Sequence, residues 1–236
     1  MKITERQAEI LNGTVKEYID LVQPISSEFL EKKHHLGISP ATIRTEMQKL
    51  TKKGFLCQPH TSAGRVPTDK GYRFFVDNLL EKGISEFEDT FKTEEIFQEA
   101  RKDILKWAAR LTKFLAEQSS NFAILHLLER DFFWKEGWEE ILKEPEFEEK
   151  DLISDFVRFL ENFEENAENF KINSGIKIYI GKENPFSKTQ DFSIILSRCY
   201  FPRREKGVIS ILGPKRMSYG RNISLINSFK KVLEKL

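Results

Sequence analysis

The first 82 residues consist of short amphipathic stretches separated by turn-forming residues. After Thr4, apolar side chains recur every three to four residues until the chain reaches Pro24, which predicts a first helix. Thr4 with Gln7 three positions later has the form of a capping box. A second, shorter helix is predicted to follow, with Ser26 or Ser27 as its N-cap.

A third helix has the clearest boundaries. Ser39 and Pro40 are the residue types preferred at an N-cap and at the first helical position, and Gly54 is a natural C-terminal stop. Three apolar residues spaced i, i+4, i+7 predict its buried face: Ile43, Met47 and Leu50. The opposite face of this helix is therefore expected to be exposed.

Two short extended pieces follow the third helix. A strand-like run begins at Phe55, a small polar stretch containing Gly64 predicts a turn, and a second extended piece reaches Pro67. Thr68 then has the residue type of an N-cap for a fourth helix. Three helices followed by a two-stranded hairpin is the order of a winged helix-turn-helix domain, which we predict for residues 1–82.

The remaining residues mix helical and strand periods. The predicted elements are a long helix over 94–118, a strand over 122–128, an acidic stretch rich in Phe and Trp over 129–150, a helix over 151–169, strands over 176–180, 193–200 and 207–212, and a helix from about residue 218. We therefore predict an α+β fold for the chain, with a second domain over residues 83–236.

Composition narrows the class of protein. Of the 236 residues, 39% are hydrophobic and 20 are Phe, which is too apolar for general disorder. No apolar run is long enough to cross a bilayer, the N-terminus has no signal-peptide core, and two cysteines are too few for a disulfide framework. We therefore expect a cytoplasmic protein with reduced thiols.

The net charge of +1 conceals three segments of different character. Residues 1–82 carry 13 Lys and Arg against 10 Asp and Glu, residues 83–172 carry 12 against 23, and residues 173–236 carry 13 against 4. A near-neutral total therefore does not exclude nucleic acid as a partner. The acidic and basic segments of the second domain are expected to neutralise each other in large part.

The outward face of the third helix suits the major groove of DNA. An Arg can bond guanine through two hydrogen bonds, a Gln can do the same with adenine, and Ala or the Thr methyl can touch the thymine methyl. The start of the helix can meet phosphate. An ordinary solvated helix face is the alternative, and Glu46 is the one carboxylate that we expect there. The candidate DNA-contacting positions are Ser39, Ala41, Thr42, Arg44, Thr45, Gln48, Lys49 and Lys52.

The predicted hairpin tip adds small, hydroxyl-bearing residues and one guanidinium. Small residues allow the backbone to approach DNA closely, and Arg65 could enter a minor groove. A plain surface turn is the alternative interpretation. The candidate DNA-contacting positions here are His60, Thr61, Ser62, Gly64 and Arg65.

Other chemistry has less support in the sequence. Cys57 and His60 have a Cys-x-x-His spacing, but a structural zinc site needs four ligands at characteristic spacings. The carboxylates over 139–149 have the pattern of a solvated face, and the chain contains no nucleophile motif, glycine-rich phosphate loop or HExxH sequence. We therefore expect no catalytic residue, no cofactor and no metal, and we leave a small-molecule pocket open.

Three segments resemble a known family. Residues 58–73 read QPHTSAGRVPTDKGYR, and this string is similar to the signature of the bacterial heat-inducible transcription repressors of the HrcA family. The string SPATIR at 39–44 is similar to the start of that family's recognition helix, and GPKRMSY at 213–219 resembles another of its motifs. The resemblance covers residues 1–82 nearly continuously and the last hundred residues more loosely.

The resemblance implies a dimeric repressor of chaperone operons. It implies that the second domain is GAF-like, that it carries an inserted dimerising segment, and that the dimer binds an inverted-repeat operator called CIRCE. It also implies a GroEL-type chaperonin as a partner that keeps the repressor active. When misfolded proteins occupy the chaperonin during heat stress, repression is lost.

This chain is shorter than the family pattern. The deficit falls near residues 128–136, where the dimerising insertion is expected, so we predict that the insertion is reduced. A two-fold operator nonetheless favours a homodimer. The helices predicted over 94–118 and 152–163 are candidate interfaces, with intramolecular core as the alternative for both.

The main hypothesis is therefore a cytoplasmic DNA-binding repressor of heat-shock genes. Two alternatives stay open, namely a ligand-gated winged-helix regulator of other genes and a protein-interaction module that does not bind DNA. A comparison of the affinities for operator and random DNA separates the two regulator hypotheses from the interaction module. The identity of the operator then separates the heat-shock repressor from a regulator of other genes.

Overall fold

The structure is a computed structural model that describes residues 3–83, 103–167, 170, 175–185, 190–201 and 204–233. Contacts divide the chain into two compact units, Met1–Gly83 and Ile84–Leu236. We refer to them as unit 1 and unit 2. Each unit contains its own set of fully buried apolar side chains.

Unit 1 begins with three helices whose N-termini are capped as the sequence predicts. These helices are α1 (Glu5–Leu21), α2 (Ser27–His34) and α3 (Pro40–Lys52). The Thr4 hydroxyl accepts the Gln7 N–H while the Gln7 side chain accepts the Thr4 N–H, which completes the capping box. The Ser26 and Ser39 hydroxyls each accept one N–H at the starts of α2 and α3. These bonds satisfy N–H groups that a helix start otherwise leaves open.

The buried face of α3 is the one that its spacing predicts. Ile43, Met47 and Leu50 are buried, and α3 contacts both α1 and α2. The apolar residues buried on those two helices are Ile10, Leu11, Val15 and Leu30. This packing decides which side of α3 faces solvent.

A two-stranded antiparallel ribbon follows α3, as the sequence predicts. Its strands are β1 (Leu56–Cys57) and β2 (Val66–Pro67), and α4 (Asp69–Lys82) comes next, with Thr68 as its N-cap. One further strand contact is not predicted by the sequence. Ile25, in the connection between α1 and α2, forms an antiparallel bridge with Arg65, and each residue donates its N–H to the other's carbonyl at 2.9 Å.

Unit 2 is built on a five-stranded antiparallel sheet. Its strands are β3 (Phe122–Leu127), β4 (Phe132–Glu136), β5 (Ile176–Ile180), β6 (Phe192–Phe201) and β7 (Glu205–Pro214). Its helices are α5 (Ile104–Ser119), the one-turn α6 (Trp138–Ile141), α7 (Lys150–Glu165) and α8 (Tyr219–Leu233). The strands lie in the order β4-β3-β7-β6-β5, and each neighbouring pair is antiparallel.

Successive side chains along each strand point to opposite faces of the sheet. Helices pack against both faces. On one face α7 packs a cluster of Phe side chains, which includes Phe156, Phe159 and Phe192. On the other face the Tyr219 hydroxyl of α8 lies 2.8 Å from the Ser193 hydroxyl of β6. The apolar stripe predicted over 152–163 is therefore used inside unit 2, as the core alternative proposed.

Residues 128–136, where a reduced insertion is expected, form part of a hairpin. Residues 128–131 join β3 to β4, and Leu127 lies opposite Phe132. The sequence pattern does not predict β4, α6 or the 3-10 turn at Pro145–Glu148, because apolar and acidic residues are mixed there without a clear period. The helix predicted over 94–118 corresponds to α5 from Ile104 onward, and residues 94–102 lie outside the described residues.

The motif at 213–219 is fastened inside unit 2 by Arg216. Its Nε donates to the Glu146 carboxylate at 2.6 Å, and its Nη2 donates to Glu146 at 2.8 Å and to Glu144. Burial acts to lower the pKa of Arg216, but the two carboxylates outweigh it and raise the pKa above its ordinary value. An acidic and a basic segment of the sequence thus meet in one ion-pair cluster.

In the part of the chain that the structure describes, no helix is both long enough and apolar enough to cross a membrane.

Candidate nucleic-acid interface

The outward side of α3 presents the polar residues that the sequence singled out. Arg44, Gln48 and Lys52 are exposed, and none of them has a side-chain hydrogen-bond partner among the described residues. A guanidinium, a carboxamide and an ammonium group are therefore available on one helix face. These are the groups that read guanine, read adenine and neutralise phosphate, respectively.

The hydroxyl groups at the start of α3 are largely used within the helix. The Ser39 hydroxyl accepts the Thr42 N–H at 3.3 Å and lies 3.0 Å from the Thr42 hydroxyl. The Thr45 hydroxyl donates to the Ala41 carbonyl at 3.0 Å. Ser39, Ala41 and Thr45 are exposed and Thr42 is partly exposed. These hydroxyls are therefore engaged within α3, and the four residues present a small exposed surface at its start.

Glu46 is buried, although the sequence pattern places it on the outward face. Its carboxylate accepts hydrogen bonds from the Lys49 Nζ and from the Gln7 Nε2 of α1, each at 2.7 Å. These two hydrogen bonds lower the pKa of Glu46 below its ordinary value. The expectation of an exposed carboxylate is therefore wrong, because α1 supplies a partner that helix periodicity does not reveal.

The same contacts make Lys49 and Lys52 unequal. The ammonium of Lys49 is paired with Glu46, whereas that of Lys52 points to no partner among the residues that the structure describes. A lysine that is already paired gains less from a phosphate than an unpaired one, since it must share or give up its carboxylate. Of the two lysines, Lys52 is thus better placed for phosphate contact.

The ribbon tip is exposed but internally ordered. His60, Thr61 and Ser62 are exposed, and the Ala63 N–H donates to the His60 carbonyl to close the turn. The Gln58 Nε2 donates to the carbonyls of Thr61 at 2.8 Å and Ala63 at 3.0 Å. Gln58 was not among the predicted site residues, yet it holds the shape of the tip. Its place at the start of the signature string is the one sequence signal that points to it.

Packing against Ile25 requires glycine at position 64, and no local sequence pattern reveals this. A Cβ at this position would lie 2.4 Å from the Ile25 carbonyl oxygen and 2.8 Å from the Ile25 nitrogen. Only glycine therefore allows the ribbon to pair with Ile25. The close backbone approach that Gly64 permits is an approach to Ile25, within unit 1.

Arg65 lies against α3. Its Nε donates to the Thr51 hydroxyl at 3.1 Å, and its Nη1 donates to the carbonyls of Ala63 at 3.4 Å and Gly64 at 3.3 Å. The residue is partly buried. To enter a minor groove, its guanidinium would have to leave these contacts.

The second half of the signature string holds the start of α4 to the connection between α3 and β1. The Thr68 hydroxyl donates to the Gly54 carbonyl at 2.7 Å, and the Lys70 Nζ donates to the Lys53 carbonyl at 2.9 Å. A Cβ on Gly71 would lie 2.3 Å from the Phe55 carbonyl oxygen. Much of the string is therefore explained by packing within unit 1.

A polar cleft of about 430 Å³ separates α3 from the ribbon tip. Arg44 and Gln48 line it from α3, Thr61 and Ser62 line it from the ribbon, and Glu28 lines it from α2. The structure therefore brings residues predicted separately on the helix and the hairpin to opposite walls of one cleft.

Cys57 and His60, which have the Cys-x-x-His spacing, are both exposed. Within the described ranges, no group of three or more His, Cys, Asp and Glu side chains is arranged to hold a metal ion. Cys199 is buried in the sheet of unit 2. The Nε2 of His126 lies 3.2 Å from an Asp131 carboxylate oxygen, and its ring stacks on Phe133.

Comparison with known families assigns the chain to one of them. The family model described as "HrcA protein C terminal domain" matches residues 68–223, which is well over half of the chain. The chain belongs to the HrcA family. The match begins at the N-cap of α4 and continues into α8, so it includes the last helix of unit 1 and most of unit 2.

Individual relatives extend the similarity to the whole chain. The heat-inducible transcription repressor HrcA of Thermoanaerobacter pseudethanolicus is 27% identical over 334 positions, which cover 100% of this chain and 97% of that protein. The protein of the same name from Natranaerobius thermophilus is 26% identical and covers 96% of this chain and 94% of that protein. That from Chloroflexus aggregans is 40% identical over 123 residues, which are 52% of this chain and 32% of that protein. Because the first alignment is longer than the 236 residues of this chain, that relative has residues without a counterpart here.

One solved structure shares the fold. It is a crystal structure described as that of a hypothetical protein, with a TM-score of 0.81 and 21% sequence identity, and the match covers 99% of this chain and 98% of that one. At 21% identity, the similarity is evidence for the fold alone. The arrangement of helices and sheets described above is therefore one that an experimental structure also contains.

Proposed function

We propose that this HrcA-family chain is a DNA-binding transcriptional repressor of heat-shock genes. The observation that carries the proposal is the outward face of α3, which exposes Arg44, Gln48 and Lys52 while its single carboxylate is buried and hydrogen bonded. Such a face offers hydrogen-bond donors to base edges and positive charge to phosphates without a carboxylate to repel them. The name of the relatives, heat-inducible transcription repressor, supports heat-shock genes as the target.

Unit 1 is the DNA-binding domain in this proposal, and its type is the winged helix-turn-helix. α3 is the recognition helix in the major groove, and the ribbon is the wing. The order of α1, α2, α3, β1 and β2 supports this assignment, and so does the bridge that ties Ile25 to the ribbon. Ser39 and Thr42 at the start of α3 lie toward phosphates, and His60, Thr61 and Ser62 lie where the wing meets DNA.

Unit 2 is the effector and dimerisation domain, of GAF-like type. A five-stranded antiparallel sheet with helices on both faces supports that type. The protein acts as a homodimer on an inverted-repeat operator of the CIRCE type, because two-fold DNA presents half-sites one helical turn, roughly 34–36 Å, or a multiple of it apart. A GroEL-type chaperonin is the partner that keeps the repressor active, and heat stress releases the operator.

A binding titration with two duplexes tests the proposal. One labelled duplex carries a CIRCE-type inverted repeat, and the other has the same base composition in scrambled order. The full chain is expected to bind the inverted repeat more tightly by a factor in the range of 10³–10⁷ at one fixed salt concentration. Equal affinity for both duplexes would contradict the proposal. Selective binding to other promoters from a genomic library, and not to the inverted repeat, would instead favour a ligand-gated regulator of other genes.

A further inference from the structure

The side chain of Arg65 connects the ribbon to α3, the two elements that flank the cleft. It starts on the ribbon, bonds the ribbon carbonyls of Ala63 and Gly64, and reaches the Thr51 hydroxyl of α3 through Nε. The Thr51 hydroxyl is itself held, because it donates to the Met47 carbonyl at 2.9 Å. A fixed acceptor on α3 therefore receives a fixed donor from the ribbon.

The backbone of Arg65 is anchored independently of its side chain. Its N–H and carbonyl are both bonded to Ile25, and Gly64 permits this close approach. Arg65, which lies just before β2 on the tip side of the ribbon, is thus tied through its backbone to the connection before α2 and through its side chain to the last turn of α3. These two attachments together leave little freedom for the ribbon tip to move toward α3 or away from it.

The cleft between α3 and the ribbon tip is a candidate path for one strand of a bound duplex. In a duplex, one sugar–phosphate strand separates each major groove from the adjacent minor groove. If α3 lies in the major groove and the ribbon tip at the adjacent minor groove, that strand has to pass between them. Arg44 and Gln48 on one wall and Thr61 and Ser62 on the other supply the polar groups that such a strand needs.

We propose that Arg65 is a positioning residue that bridges the ribbon to Thr51 and thereby sets the width of a cleft in which one DNA strand lies. This inference rests on the proposed DNA-binding function and changes the role that the sequence suggests for Arg65. The guanidinium acts through the ribbon and not by entering a minor groove. Its three contacts within unit 1 and its partial burial are the observations that carry the assignment.

Thr51→Val separates the two roles for Arg65. Valine has the shape of threonine but no hydroxyl, so the bridge is lost while the positive charge of Arg65 stays. A positioning role predicts that Thr51→Val and Arg65→Ala each weaken binding to the inverted-repeat duplex, by about tenfold for a hydrogen bond to a charged group. The double variant is expected to bind no more weakly than Arg65→Ala alone, because both changes remove the same bridge.

The salt dependence of binding gives a second readout, which loss of folding stability alone does not predict. If Arg65 contacts a phosphate, Arg65→Ala should reduce the steepness of log affinity against log salt by about 0.9. If Arg65 only positions the ribbon, the slope should stay as in the wild type for both Arg65→Ala and Thr51→Val. Thr51→Ser retains the hydroxyl and is expected to retain wild-type affinity. Thr14→Val is the control, because it removes the same kind of hydroxyl-to-carbonyl bond, here to Ile10 within α1, and leaves the bridge intact.

The outcomes distinguish this inference from the proposed function. If the wild-type chain shows no preference for the inverted repeat, the proposed function fails and this inference fails with it. If the wild-type chain prefers the inverted repeat but Thr51→Val binds as tightly as wild type, only the positioning role fails. A reduced salt slope for Arg65→Ala likewise assigns Arg65 to phosphate contact and overturns the inference. Amide hydrogen exchange of unit 1 in the Thr51→Val protein verifies that the variant compared is folded.

Discussion

Substitution of Gly64 by alanine is expected to detach the ribbon from Ile25. The new Cβ would lie 2.4 Å from the Ile25 carbonyl oxygen and 2.5 Å from its carbon, so backbone atoms have to move apart. The two hydrogen bonds between Ile25 and Arg65, each 2.9 Å long, are then lost or lengthened. Each such bond contributes a net of about 0.5–1.5 kcal/mol, so their loss costs roughly 2 kcal/mol.

Part of this cost is offset in the unfolded chain. Replacing glycine by alanine restricts the unfolded state and contributes up to about 1 kcal/mol toward stability. The net effect of Gly64→Ala is therefore a loss of about 1–2 kcal/mol from the free energy of unfolding of unit 1. For a domain of this size, that lowers the melting temperature by roughly 4–16 °C.

Amide hydrogen exchange is the most direct assay for this change. The N–H groups of Ile25 and Arg65 are both donors in the bridge, so their protection is expected to fall sharply in Gly64→Ala. The three tryptophans, Trp107, Trp134 and Trp138, all lie in the sequence of unit 2. Tryptophan fluorescence therefore follows unit 2, whose unfolding should be unchanged. Wild-type protection at both amides together with an unchanged melting temperature of unit 1 would refute the steric reasoning.

Three further predictions concern charged groups. Lys52→Ala should reduce the steepness of log DNA affinity against log salt by about 0.9. Lys49→Ala should reduce it less, because Lys49 is paired with Glu46. Equal slopes for the two variants would contradict this. Arg216→Met should destabilise unit 2 by about 3 kcal/mol, since it leaves two facing carboxylates without their cation, and adding Glu146→Gln should recover part of the loss in tryptophan fluorescence melts. Hydrogen bonds from Lys49 and Gln7 lower the pKa of Glu46 below its ordinary value of 4.5. The charged form of Glu46 therefore stabilises unit 1 at pH values above 4.5, and this contribution is lost as the pH falls through the lowered pKa. The stability difference between wild type and Glu46→Gln, taken from urea midpoints of unit 1, should therefore shrink from pH 7 to pH 3, and a constant difference would argue against this assignment.

Local sequence signals were sufficient for most of the helices. Thr4, Ser26, Ser39 and Thr68 all cap the helices that they were expected to begin, because a cap depends only on residues within one turn. Strand β4 was missed because Phe132, with the four residues after it, shows no alternation of apolar and polar positions. The Ile25 bridge was missed because pairing of a single residue depends on where the ribbon lies, and no local pattern records that.

The candidate site divides in the same way. The outward face of α3 could be predicted, since a period of 3.6 residues fixes the exposed side once Ile43 and Leu50 are assigned to the core. The burial of Glu46 could not be predicted, because its partner Gln7 is 39 residues earlier in the chain. For Arg65 the sequence gives the residue type but not its contact with Thr51, which decides what the guanidinium can reach.

If the outward face of α3 reads base pairs, removal of the Arg44 guanidinium should change the sequence preference of the protein. The measurement is the affinity of wild type and Arg44→Ala for the inverted-repeat duplex and for a set of duplexes in which each base pair is changed in turn. One base-pair change is expected to cost the wild-type chain about 1–3 kcal/mol of binding free energy and to cost Arg44→Ala almost nothing, because the group that reads that pair is gone. If Arg44→Ala instead weakens binding to the inverted repeat and to scrambled DNA by the same factor, Arg44 contacts only the backbone and the claim is contradicted.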